Sequence, residues 1–419
     1  MTKKSPFTGR ALLALLGACL FQCAFIGILI NSNGVFMTAI RESVGLPMTM
    51  ISANTSIRSV AGATTAAFFT AVFYKSDCWK VMLGSVLVIV AGFLLLPIAT
   101  DNFLWYLIPV LSCHASSIGI LAIPHLMQQW FPEHSGTASG IAMAFSGLGG
   151  AVFNPVAAAL CTAFGWQFAV IILCGITLAM AGAGLLLLFG LKGSPEEAHP
   201  VKTAVLPEEA GIPLPVPARF LMVTVLVLSG AVTVLVSYIN LHMEGQGYSL
   251  TVGATVTSFA MFGNIGGKLI FGWLSDRLGT WKTMALASAL VAVGSGMLGL
   301  VHGSIGAMYL AATLFGACYY CATIALSRCT LSAYGAQLSR KYTGLHVSIN
   351  GFLSAALAFG AGPAFDLWGS FTPIFVGAAV ACTISSVIAV VMAFLSMRQS
   401  SLISKPEWAE QPCHSGLNR

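Results

Sequence analysis

Three cations stand inside apolar runs of this 419-residue chain: Arg58, Lys268 and Arg328. Arg58 lies nine residues past Thr49, about 13 Å along a helix and near the middle of a hydrocarbon core about 30 Å thick. Lys268 precedes Asp276 by eight residues, about 12 Å from that end of its run. Arg328 lies at the inner end of its run, where a long side chain reaches the headgroups. A cation at the centre of a membrane helix costs about 2.5–3.5 kcal/mol. None of the thirteen acids falls deep in an apolar run. Arg58 and Lys268 must therefore face water, backbone carbonyls or an anionic ligand, and a carboxylate is the ligand that pairs best with such a cation. The plainer alternative has Arg58 bonding helix-end carbonyls or turning outward.

Weaker signals surround these cations. His114, His125 and His346 lie in apolar runs, where a histidine can pass protons or simply bond a neighbouring helix. Tyr238, Asn240, Tyr319 and Tyr320 could line a polar path, although aromatic rings at helical spacing are more often packing. Cys318 and Cys321 have C-x-x-C spacing, but inside an apolar run with no histidine beside them they read as two small residues on one helix face. The eleven cysteines do not read as a disulfide framework. No soluble catalytic set, Walker loop or metal-ligand cluster stands out, so neither an enzyme nor a cofactor is expected.

The elements that must position these residues follow from composition. Hydrophobic residues make up 57% of the chain and charged residues 8%, with a mean hydropathy of +0.88. A soluble domain carries about 25% charged residues, so soluble, disordered, fibrous and nucleic-acid-binding classes are excluded. The lipid bilayer is the expected surrounding. Apolar runs predict twelve helical spans, at 11–31, 49–74, 81–100, 104–129, 136–161, 166–191, 218–241, 250–274, 283–301, 306–328, 342–364 and 372–396. MTKKSPFTGR carries three cations ahead of the first run, with no cleavage site after it, so that run reads as a span rather than a removed signal. With both termini cytoplasmic, fifteen Lys and Arg lie inside and Arg41 alone lies outside, as the positive-inside rule requires.

The expected organisation is a six-helix bundle over 1–191, a cytoplasmic linker over 192–217, a second bundle over 218–397 and a tail over 398–419. The linker has six prolines and four glutamates, a composition that cannot build an apolar core. WKVM at 79–82 and WKTM at 281–284 follow corresponding spans. Gly136 and Pro155 in span five match Gly344 and Pro363 in span eleven. Such parallel repeats are a transporter architecture with its site near the midplane.

GGKLIFGWLSDRLGTWK, at 266–282, resembles the loop signature of the major facilitator superfamily through Gly272, Asp276, Arg277, Gly279 and Lys282. The twin stretch FFTAVFYKSDCWK lacks the glycine and the Asp-Arg pair. QQWFPEHSGTASGIAMAFSGLGGAVFNP at 128–155 and GYSLTVGATVTSFAMFGNIGGKLIFGWLSD at 247–276 resemble the monocarboxylate transporter and oxalate/formate antiporter branch. The resemblance implies an all-α membrane protein with twelve transmembrane helices in two six-helix bundles. Where that branch has a lysine late in helix one, an aspartate and arginine in helix eight, and a lysine in helix eleven, this sequence has Asn31, Asn264 with Lys268, and Asn350.

The expectation is a secondary active transporter of a small organic anion, a monocarboxylate foremost, working as a proton symporter or an anion exchanger. Arg58 and Lys268 would hold the carboxylate. Asn31, Asn264, Asn350, His114 and Tyr238 would supply hydrogen bonds. Gly272, Asp276 and Arg277 would gate, with Asp276 and Arg277 as a charge latch. Glycines crowding spans five and eight would form sliding seams between bundles. The expected setting is a bacterial cytoplasmic membrane, as a monomer with no nucleic-acid partner. The alternatives are a drug efflux carrier of the same superfamily and a sensor that binds without translocating.

Overall fold

The computed structural model describes residues 9–73, 78–99, 123, 126–127, 129–131, 135–190 and 215–403. Within them the chain is helical, and no strand occurs among the described residues. Lipid offers the backbone no hydrogen bonds, so a spanning segment must satisfy its own N–H and C=O groups. The helices are α1 (Gly9–Ser43), α2 (Met48–Phe73), α3 (Cys78–Ala99), α4 (Ser135–Phe164), α5 (Trp166–Gly190) and α6 (Val216–Gly245). The second half continues with α7 (Leu250–Leu278), α8 (Thr280–Leu300), α9 (Ile305–Tyr334), α10 (Tyr342–Trp368) and α11 (Thr372–Ile403). They correspond to expected spans one to three and five to twelve. The fourth, over 104–129, lies outside the described residues apart from a few positions, as do His114, His125 and most of the expected linker and tail.

Nine of these helices are both long and apolar enough to cross a membrane. The other two, α2 and α7, are long enough at 26 and 29 residues but more polar, and they carry Arg58 and Lys268. Large apolar side chains such as Ile98 (78% exposed) and Leu367 (77%) point outward, while Asn154, Asn240, Asn264 and Lys268 are buried. That inside-out pattern is what a lipid surround selects.

Tight connections need special backbone. Gly165 alone separates α4 from α5, at φ +82°, and Gly279 joins α7 to α8 at φ +85°. Between α9 and α10 the helical turns run on through 335–341, yet the chain reverses there. Tyr334 and Tyr342 stack with ring centroids 4.0 Å apart, and the Thr330 hydroxyl meets His346 Nδ1 at 2.9 Å. Sixteen residues of straight helix would hold Thr330 and His346 about 24 Å apart.

Contacts at helix ends sort the molecule into two faces. Arg41, Glu244, Thr49, Phe365 and Asp366 meet at one face, the outer one in the expected topology. Asp276, Arg328, Arg219 and Tyr334 meet in pairs at the opposite face, where α1 begins. The halves of the chain touch along two long seams, α2 with α10 and α4 with α7. On the first, Ser348 Oγ donates to the Ala63 carbonyl at 3.0 Å, and Gly351 abuts Ala63.

Candidate functional site

The α4–α7 seam is built from glycines. At Gly147 a Cβ would lie 2.7 Å from Ile265, and at Gly150 it would lie 2.7 Å from Met261 and 3.0 Å from Asn31. Gly149, on the other side of α4, backs onto Cys23 and Gly27 of α1. Small residues let membrane helices approach closely, and here they bring polar side chains of α1 and α7 onto backbone carbonyls of α4. Asn31 Nδ2 donates to the Ser146 carbonyl at 2.8 Å. Lys268 Nζ donates to the Met143 carbonyl at 3.4 Å and lies 5.7 Å from the Tyr319 ring centroid. Asn264, one helical turn before Lys268, has both amide atoms buried without a hydrogen-bond partner.

Lys268 is 4% exposed. No carboxylate lies within ion-pair distance of it among the described residues. An ammonium has three donors; one carbonyl and one aromatic face account for part of that capacity. Arg58, at mid-helix on α2, is half-buried and has no hydrogen bond or ion pair among the described residues.

Of the remaining expected residues, Tyr238 is buried and donates its hydroxyl to the Ala358 carbonyl at 3.1 Å. Asn350 packs its amide against Gly230 of α6, and its Oδ1 has no partner. Among the described residues Asn350 makes no direct contact with Lys268 or Arg58, whereas Asn31, Asn264 and Lys268 share the α1–α4–α7 junction.

The charge latch takes a different form from the one expected. Asp276 pairs with Arg328 of α9, not with Arg277. Arg277 instead lays its guanidinium over Trp273, 4.3 Å from the ring centroid, since residues four apart share a helix face. The reason is helix length: α7 runs to Leu278 and α9 to Tyr334, past the expected ends at 274 and 328. Both partners then sit on facing helices, and Arg328 pairs with Asp276 instead of reaching for headgroups. The glycine expectation holds in part. Gly147 and Gly150 do lie between halves, but Gly263 and Gly267 press against Thr313, Gly316 and Ala317 of α9 in the same half. Gly140 meets nothing within 4 Å, and Gly272 only touches Ile324 at 4.0 Å.

Irregular turns mark the helices around this junction. Cys23–Ile30 of α1 winds as wide π turns ending at Asn31, whose N–H reaches back to the Ile26 carbonyl at 2.9 Å. Ala231–Tyr238 of α6 tightens to 3₁₀, and Cys321–Ala325 of α9 is again π. Such breaks in the α ladder recur at functional positions. Hydrophobicity alone does not reveal them.

The sequence profile of the major facilitator superfamily matches residues 15–359. The chain belongs to the major facilitator superfamily. The superfamily is one of membrane transporters. Monocarboxylate transporter 11 of Homo sapiens is 28% identical over 232 residues, which are 53% of this chain and 47% of that protein. The chain therefore spans about half the length of the curated relative it matches. Among solved structures, one on substrate recognition in proton-dependent oligopeptide transporters aligns with a TM-score of 0.67 at 16% identity, over 93% of this chain and 100% of the other. The Escherichia coli fucose:proton symporter aligns at 0.55 and 14% identity, over 91% and 98%. At these identities the structural likeness establishes the fold: an all-helical major facilitator architecture.

Proposed function

We propose that this major facilitator protein moves a small organic anion, a monocarboxylate foremost, by alternating access. The observation that carries the reading is Lys268: a buried ammonium in lipid-depth helix α7 with one carbonyl and no acid beside it among the described residues. Leaving a charge so placed is expensive unless a counter-charge arrives. In this conformation the α4–α7 seam closes over Lys268 and Asn264, so the anion meets them when α4 draws back. Arg58, half-buried at mid-helix on α2, is the cation it meets first. Asn31, Asn264 and Asn350 supply hydrogen bonds, and the orphaned amide of Asn264 has both a donor and an acceptor to offer. The partial match to monocarboxylate transporter 11 supports the same cargo class. Proton-dependent transporters among the fold neighbours support proton symport, with exchange against a second anion as the other mode.

Uptake of labelled lactate, pyruvate, formate and oxalate into vesicles, with and without a pH gradient, tests this. Lys268→Ala should lower the rate by about tenfold or more, the cost of losing one charged hydrogen bond at about 1.5–3 kcal/mol. Unchanged anion uptake in that variant removes Lys268 from the site. Uptake of none of the four anions by the wild-type protein overturns the cargo class.

A further inference from the structure

The outer face holds the only ion pair between the two halves among the described residues. Arg41, near the end of α1, bonds Glu244, near the end of α6, at 3.0 Å. The same guanidinium lies 5.2 Å from the ring centroid of Phe365 on α10. Next to Phe365, Asp366 accepts from both the N–H and the hydroxyl of Thr49 at the start of α2, which ties α10 to α2 on the same face. At the inner face the corresponding pair, Asp276 with Arg328, joins α7 to α9 within one half.

We infer that Arg41 is a two-armed clasp that keeps the outer face shut, gripping α6 through Glu244 and α10 through Phe365. Three features single it out. Both partners are on the half opposite to Arg41, so any outward opening must break both arms. The pair is partly withdrawn from water, with side-chain exposures of 27% and 21%, so it is screened less than a surface pair. Glu244 also keeps its second oxygen, Oε2, buried without a partner, a carboxylate held by one contact alone. Arg41 is moreover the single cation that the charge distribution leaves on the outer side, where the positive-inside rule gives it no topological task. Beneath the clasp, Gly34 of α1 presses on the Ser237 carbonyl of α6, so the two helices are in backbone contact until the clasp parts.

This clasp rests on alternating access and not on the identity of the cargo. A cysteine placed at Asn33, which is 4% exposed beside Gly34, reports opening through its reaction with an impermeant maleimide added outside right-side-out vesicles. The parent without Asn33→Cys supplies the background from native cysteines. Arg41→Gln should raise the labelling rate by about tenfold, equivalent to about 1.4 kcal/mol of bias toward the closed face. Glu244→Gln and Phe365→Leu should each raise it by less. In the Arg41→Gln background, adding Glu244→Gln should change nothing further, because the pair is already gone. An unchanged rate in Arg41→Gln overturns the clasp. So does full additivity of Arg41→Gln and Glu244→Gln, which would make them independent packing effects. Phe365→Leu leaves the ion pair intact and serves where a charge variant fails to assemble. Anion flux in the same vesicles reads transport separately, so failure of the clasp and failure of the cargo reading are distinguishable.

Discussion

At the scale of single residues, charge placement decides what each group is worth. Lys268 and Arg328 are both helical cations, yet their settings differ. Lys268 is sealed in a seam without an acid, whereas Arg328 pairs with Asp276, with side-chain exposures of 33% and 63%. A pair that open to solvent is worth about 0–1 kcal/mol. Asp276→Asn should accordingly shift the free energy of unfolding by no more than about 1 kcal/mol, measured as a melt of the purified protein in detergent. A larger loss would mean that the pair holds α7 to α9 rather than decorating their ends. Arg277, stacked on Trp273, is free of that pair, and its substitution should leave the melt where it is.

At the scale of the elements, two kinds of glycine occur and the sequence does not tell them apart. Gly263 lies where any side chain would overlap the Thr313 carbonyl of α9, while Gly140 meets nothing within 4 Å. Gly263→Ala should destabilise the protein by about 1–3 kcal/mol through overpacking. Gly140→Ala should be neutral or stabilising by about 0.5–1 kcal/mol, because glycine carries extra backbone entropy in a helix. Thermal melts of the two variants check this, and equal losses would contradict the close approach of α7 and α9. Helix ends were the least legible feature. Expected spans stopped at apolar limits, but α6 runs on to Gly245, α7 to Leu278 and α9 to Tyr334. Helical hydrogen bonding does not end where hydrophobicity does, and the added turns bring in Glu244 and Asp276 as pairing residues.

For the whole molecule, we propose the topology with both termini cytoplasmic. It follows from fifteen cations on one side and Arg41 on the other, a bias set by insertion rather than by packing. A fluorescent protein fused after Arg419 should glow, and an alkaline phosphatase fused there should stay inactive; the reverse pair of results would invert the map. Placement of Arg41 outside also gives the clasp its direction.

The chain by itself determined its solvent and its helical class. These depend on composition and on the length of apolar runs, both of which are local in the sequence. The resemblance carried by 266–282 anticipated the superfamily, and three of the residues it pointed to, Asn31, Asn264 and Lys268, lie at one junction of α1, α4 and α7. Only the tertiary structure decided who pairs with whom: Asp276 with Arg328, Arg41 with Glu244 and Phe365, and Lys268 with the Met143 carbonyl. Those partners lie from 52 to 203 positions apart for the two ion pairs. Their meeting depends on how helices of different halves rotate and approach, which glycine seams and non-α turns set, and which no periodicity within one helix encodes.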